Sequence, residues 1–379
     1  MKKILAALLV ASLFAALPAG AAAPLAPAVE AGSALLMEKE TGAVLFAQNE
    51  HDKREPASVT KIMTLLLVME ALDAGRLTME ERVPVSAAAA GMGGSQVYMK
   101  EGEDFSVRDM LKCVAVVSGN DAAVALAEHL AGSEAAFVQR MNARAAELGM
   151  GDTCFQNCTG LPAPGHLTSA YDIALMSRAL ILNCPGIREF TTIWIDSIRD
   201  GAFQLANTNK LIRFYDGATG LKTGSTDGAL YCLSATAERD GMELIAVVLK
   251  APSSAVRFES AKSMLNFGFA NYTLMDVHPA QALPPVDVLL GEHAQVQPKL
   301  SRSGRILIEK TDLNHVTTEL QLCADVEAPV EAGQKLGQMV VKVGGLVRET
   351  IPIVADAAVP RLTLPGIFSK FLRGLFMAE

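Results

Sequence analysis

The spacing of apolar positions changes character twice along the chain. Apolar-rich runs over 33–40 and 43–48 flank Thr41-Gly42, where glycine supplies the positive φ of a turn, so the pattern predicts a β-hairpin. From 59 to 72 nearly every residue is an apolar helix former, including Ile62, Met63, Leu65, Leu66, Leu67, Val68 and Met69. A helix that is apolar around most of its circumference belongs in the centre of a domain. Further helices are predicted over 107–117, 121–131, 134–148 and 169–182, the last opened by a capping arrangement of Ser169 with Asp172. Short apolar runs punctuated by Gly and Asp then return at 220–224, 229–238 and 243–251, the signature of consecutive antiparallel strands. Strands, a helical insert and strands again imply one sheet whose edges come from both ends of the unit, with a helix over 255–270 closing it.

A stiff break from His278-Pro279 to Leu283-Pro284-Pro285 ends this unit, and the boundary is placed near 275. Beyond it, β-type runs at 288–290, 306–309, 317–322, 339–343 and 350–354 show no helical period and predict a small all-β domain. The final segment, 366–379, gathers Ile367, Phe368, Phe371, Leu372, Leu375 and Phe376 on one helical face, with Lys370 and Arg373 on the other. It is too short to span a bilayer and has the make-up of a helix lying in the membrane interface; docking on its own domain is the plainer alternative. At the other end, Met1-Lys2-Lys3, an apolar run over 4–17 and small residues through Ala23 have the order of a secretory leader, with cleavage expected between Ala19 and Ala26. The expected organisation is a leader at 1–23, an α+β unit at 28–275, an all-β domain at 276–362 and an amphipathic membrane-anchoring helix at 363–379. The chain is thus expected to work outside the cytoplasm, on the outer face of the membrane.

With 379 residues, half of them apolar, the chain can bury a large core and is too long for one average domain. A formal net charge of −8 offers no basic stripe to neutralise phosphates, which argues against a nucleic-acid partner. Six cysteines (Cys113, Cys154, Cys158, Cys184, Cys232, Cys323) do not make a disulfide-dense scaffold, and most are expected to be buried small hydrophobes. Only Cys154 and Cys158 are close in sequence. With His166 the one histidine near them, a metal site is not expected, and no cofactor is.

Three short motifs carry the chemistry: Ser58-Val59-Thr60-Lys61, Ser118-Gly119-Asn120 and Lys222-Thr223-Gly224. Each is weak alone, and their combination in one exported chain is strong. Ser58, placed at the start of the buried helix, has Lys61 on the same face three residues on. A serine hydroxyl needs a base to become a nucleophile, and an amine serves once burial or a second cation lowers its pKa. Lys222, arriving on a strand, supplies that cation. Ser118 and Asn120 fall in a break between two helices, where Ser118 can relay a proton and Asn120 can hold a substrate amide or orient Lys61. Gly224 has no side chain to keep an extended peptide from pairing along the strand edge.

The three motifs match the set found in serine β-lactamases and penicillin-binding proteins. With Pro56-Ala57 before the nucleophile, Gly93-Gly94-Ser95, Thr219-Gly220 and the β-rich C-terminal region, the whole mature chain resembles the low-molecular-mass penicillin-binding proteins, serine-type D-alanyl-D-alanine carboxypeptidases. The resemblance implies a serine β-lactamase/transpeptidase-like domain, with an antiparallel sheet and helical insert, followed by the small all-β domain. It implies that Ser58 attacks the carbonyl between two terminal D-alanines of a peptidoglycan stem peptide, with Lys61 as base and Ser118, Asn120 and Lys222 in support. It further implies an oxyanion hole from the N–H groups of Ser58 and Ser225, a substrate carboxylate received by Thr223 with Arg257, and inhibition by β-lactams. Class A β-lactamases deacylate with a Glu; 155–170 holds no Glu or Asp, so slow release of β-lactams is expected. His166 is expected to be structural or on the surface. The competing readings are a D,D-endopeptidase with the same motifs, a non-catalytic wall-binding module, and a periplasmic scaffold whose terminal helix binds a partner.

Overall fold

A computed structural model describes residues 25–279 and 281–368. The leader expected at 1–23 and residues 369–379 of the expected amphipathic helix lie outside the described residues. The first unit contains, in chain order, β1 (Ser33–Glu38), β2 (Val44–Gln48), α1 (Lys61–Asp73), α2 (Val107–Val116), α3 (Asn120–Ala131), α4 (Glu134–Glu147), α5 (Ala170–Asn183), β3 (Ala218–Thr226), β4 (Leu230–Arg239), β5 (Met242–Ala251) and α6 (Ser254–Asn271). The five strands form an antiparallel sheet in the order β2-β1-β5-β4-β3. Its edges come from the two ends of the unit, and β3, which carries Lys222-Thr223-Gly224, is one of them.

Alternation along each strand decides which face a side chain takes. Leu35 and Met37 of β1, with Ile245, Val247 and Leu249 of β5, enter a core shared with the helices of the insert. Ala34 and Leu36, with Leu244, Ala246 and Val248, pack on the other face against Phe258, Met264 and Leu265 of α6. Helix α6 lies close to the sheet at Gly268, where a Cβ would sit 2.5 Å from Leu244 Cδ1. Helix α1 runs through the first core with Ile62, Met63, Leu65, Leu66, Val68 and Met69 all buried, which is why its sequence has no polar face. Burying each such side chain contributes about 1.5–3 kcal/mol, so α1 is held by packing and not by helix propensity.

The second unit is built from short strands. Tyr272–Asp276 already pairs with Arg305–Glu309, so pairing begins a few residues before the break read from the prolines. Pro298–Leu300, Leu346–Ala355, Lys335–Val343 and Val316–Leu322 form a four-stranded sheet over Ile306, Ile308, Met339, Val341, Ile351 and Ile353. A 3-10 turn at Lys310–His315 interrupts the strands. Arg305 ties the units together through an ion pair to Glu40 (3.0 Å) and also pairs with Asp276 on the adjoining strand (3.1 Å). Among the described residues no helix is long and apolar enough to cross a membrane. All six cysteines are free, with Cys113, Cys158, Cys184 and Cys232 buried and Cys154 and Cys323 exposed.

Candidate active site

The structure brings the three motifs into one cleft between the N-terminal end of α1, the junction of α2 and α3, and the edge strand β3. Ser58 does not lie in α1 itself but in a 3-10 turn, Ala57–Thr60, that leads into it. A 3-10 turn eclipses residues three apart, whereas an α-helix offsets them, so this turn stacks Lys61 directly over Ser58. Lys61 Nζ lies 3.1 Å from Ser58 Oγ. The turn is fixed by a close approach: a Cβ on Gly160, whose φ is +85°, would lie 1.8 Å from Ala57 O, so only glycine fits there. Ala57 itself has a left-handed φ of 48°, an uncommon conformation for a residue with a side chain.

Lys61 is fully buried, and its ammonium faces no carboxylate within ion-pair distance among the described residues. Its other partners are Asn120 Oδ1 at 2.6 Å and the main-chain carbonyl of Thr159 at 2.7 Å. Burial lowers its pKa to about 7. In the neutral amine the two N–H bonds go to these two shorter contacts, which leaves the lone pair aimed at Ser58 Oγ. Lys222 is buried too, with Nζ donating to Thr223 O at 3.0 Å. Burial, with the charges of Lys61 and Arg257, pushes its pKa well below the usual lysine value.

Asn120 opens α3 and is not in the break before it, as the sequence suggested; its N–H donates to Ser95 O and its Nδ2 to Gly93 O, both at 2.7 Å. Ser118 remains in the break, with φ at 65°. Its hydroxyl is buried without a hydrogen-bond partner among the described residues, an arrangement that costs stability unless a ligand completes it. Gly224 needs a different explanation from the one its position on an edge strand implied. A Cβ there would meet Ser58 N at 2.8 Å and Pro56 O and Val59 N at 3.0 Å, so the missing side chain lets β3 reach the nucleophile's turn.

Thr223 Oγ1 donates to Thr208 Oγ1 at 2.7 Å. Arg257 packs over Phe258 and Tyr231, and its Nη1 donates to Gly224 O (3.1 Å) and Cys232 O (3.3 Å), bracing β3 from behind. Ser225 follows on the same strand. His166 is buried, not on the surface: Nδ1 accepts from Gln156 N at 3.0 Å and Nε2 lies 2.8 Å from Thr60 Oγ1. With Nδ1 accepting, the neutral ring carries its proton on Nε2 and donates to Thr60, and burial lowers its pKa to about 4. Three groups of the cleft were not read from the sequence: Thr159 O, Thr208 and Asp121. A main-chain carbonyl leaves no residue-type signal, but Asp121 stands next to Asn120 and was open to inspection.

A family model described as D-alanyl-D-alanine carboxypeptidase matches residues 20–253, and one described as penicillin-binding protein 5, C-terminal domain, matches residues 275–361. The chain is 43% identical over 334 residues to D-alanyl-D-alanine carboxypeptidase DacF of Bacillus subtilis, covering 86% of this chain and 85% of the relative. Penicillin binding protein 5 from Haemophilus influenzae is similar in structure, with a TM-score of 0.81 at 29% identity over 89% of this chain and 99% of that one. Penicillin-binding protein D2 from Listeria monocytogenes, solved with ampicillin bound, has a TM-score of 0.59 at 34% identity over 64% of this chain and 98% of its own.

Proposed function

The chain belongs to the D-alanyl-D-alanine carboxypeptidase family, and from that premise we propose how its cleft removes the terminal D-alanine of a peptidoglycan stem peptide. It is a serine-type peptidase of the cell wall; the roles of individual residues are the proposal. The observation that carries them is the buried Lys61 amine, held against Ser58 Oγ with no carboxylate to keep it charged. Neutral Lys61 takes the Ser58 proton as Oγ bonds to the carbonyl carbon of the penultimate D-alanine. The N–H groups of Ser58 and Ser225 hold the oxyanion. The proton passes through the Ser118 hydroxyl to the departing amine, so free D-alanine leaves and an ester remains on Ser58. Water activated by Lys61 then releases the shortened peptide.

Asn120 holds Lys61 and receives the substrate amide, Lys222 supplies positive potential, and Thr223, backed by Arg257, receives the terminal carboxylate. The peptide lies along the open edge of β3. A β-lactam acylates Ser58 in the same way, and its opened ring keeps the leaving group tethered. With no Glu or Asp over 155–170, its release is slow. The reading also places the enzyme outside the cytoplasmic membrane, with the segment from 363 on lying in the interface. The exposed side chains of Leu364 and Phe368 support this.

The test is incubation of the mature protein with a fluorescent penicillin and, separately, with a stem pentapeptide. The wild type is expected to label one-to-one on Ser58 and to release D-alanine; Ser58→Ala is expected to do neither. A folded wild type that does not label overturns the reading.

A further inference from the structure

Asp121 is fully buried directly behind the cleft and has no cation within ion-pair distance among the described residues. Its carboxylate is satisfied by main-chain donors. Oδ2 accepts from Val97 N (2.9 Å) and Met99 N (3.2 Å), and Oδ1 from its own neighbour Ala122 N (2.9 Å) in the first turn of α3. The two N–H groups bracket Tyr98, whose φ of 53° is left-handed. Val97 N and Met99 N, on either side of this residue, converge on Asp121 Oδ2 as a small nest for an anion.

The nest lies in the segment that Asn120 grips. Gly93 O and Ser95 O accept from Asn120, and Val97 N and Met99 N donate to Asp121, so two adjacent residues of α3 hold 93–99 at four alternate points. From outside, Arg199 Nη1 and Nη2 donate to Val97 O (2.9 Å) and Tyr98 O (3.1 Å). Since Asn120 Oδ1 is the shortest contact of Lys61 Nζ, the placement of this segment sets the placement of the base. We propose that Asp121 is a positioning residue for the acyl-transfer step: its carboxylate fixes 93–99 so that Asn120 is presented to Lys61, and its negative charge tempers the positive field of the cleft.

The charge has a definite sign of effect. The groups that face Lys61 are Ser58 on its own turn, Asn120 and Asp121 on α3, Cys158 and Thr159 on the following loop, and Lys222 on β3. Burial has the largest effect on the Lys61 pKa and lowers it; Cys158 and then Asp121 act to raise it, and with Cys158 kept a neutral thiol by its own burial the standing negative charge is that of Asp121. Removing the Asp121 charge therefore frees Lys61 to lose its proton at lower pH.

The inference rests on the reading of Ser58 as nucleophile and Lys61 as base, and the test separates the two. Acylation by a chromogenic cephalosporin is followed against pH for the wild type, Asp121→Asn and Arg199→Gln. Asp121→Asn is expected to acylate about tenfold or more slowly at its optimum, because a slackened segment misplaces Asn120. Its acidic limb is expected to move downward. Arg199→Gln loosens the same segment while leaving the Asp121 charge in place. It is expected to slow acylation without moving the limb. An Asp121→Asn enzyme with the wild-type limb and rate overturns the proposal, as does full acylation by Arg199→Gln. If Asp121→Asn does not fold, Asp121→Ser replaces it, and Arg199→Gln still tests the segment. Failure of the wild type to acylate at all would instead strike the nucleophile reading.

Discussion

The start and the middle of β3 bury charge in opposite ways. Near its start, Thr219 Oγ1 donates to Glu243, a fully buried carboxylate that also meets Lys39 Nζ at 2.9 Å and Arg188 Nη2. Three residues further along, Lys222 and its neighbour Lys61 are just as deeply buried and meet only carbonyl, amide and hydroxyl oxygens. The first cluster, with Glu238 also against Arg188, sets each charge beside an opposite one, and its role is to hold strand, helix and hairpin together. The second leaves two buried amines without an anion beside them, which costs stability and lowers the pKa of both, that of Lys61 to about 7. Uncompensated burial on a solvent-facing cleft is what marks a working site, and compensated burial on the same strand marks a structural one.

The comparison breaks first at Lys61. Lys61→Arg keeps positive charge and length but cannot give up its proton, so D-alanine release is expected to fall by about 10²–10⁴-fold while circular dichroism and melting temperature change little. A Lys61→Arg enzyme with wild-type turnover would mean that the uncompensated cation is not the base. At the start of the strand, Glu243→Gln leaves Lys39 facing a neutral amide and Arg188 with Glu238 alone. Urea unfolding is expected to show a loss of about 2–4 kcal/mol, toward the lower figure because both cations keep some contact with water. Activity measured well below the unfolding midpoint should stay within about tenfold of the wild type. Equal losses of stability and turnover from both variants would erase the distinction.

The smallest effect sharpens the comparison at a third buried group. Folded His166 takes a proton only near pH 4, whereas the unfolded chain takes it near the ordinary histidine value of 6.5. The unfolded state therefore binds the extra proton between these values, and His166 contributes stability that is complete above about pH 6.5 and is lost as pH falls toward 4. Melting temperature followed over this range should drop less steeply in a His166→Gln variant than in the wild type.

Most of the site was legible because its chemistry resides in side chains at fixed offsets. Ser58 and Lys61, Ser118 and Asn120, and Lys222 and Thr223 were each visible as pairs, and the sheet's edge order follows from where apolar runs of period two resume. The parts that were not legible depend on backbone placement. Thr159 contributes a carbonyl, which any residue would provide. The 3-10 turn at Ala57–Thr60 is four residues long, below any period, and it is imposed by the approach of Gly160. Gly224 was visible as a glycine, but its contact lies across the cleft with the turn at 56–59 and only tertiary packing reveals it. The strand pairs Arg82–Pro84 with Asp104–Ser106 and Ile195–Ile198 with Phe203–Ala206 are too short to show alternation.

Strand β1 hydrogen-bonds to only two neighbours, the adjacent β2 and the distant β5. A chain emerging N-terminus first therefore presents Ser58 and Lys61 long before the strand that will face them exists, and the β1-β2 hairpin gains no further partner in its sheet until β5 is available. Pairing β1 with β5 closes by far the longest loop of the sheet, and long loops cost the most chain entropy and slow folding. A fragment ending before β3 lacks Lys222 and Thr223 and with them one wall of the cleft, and the strands that carry that wall join β1 only through β5.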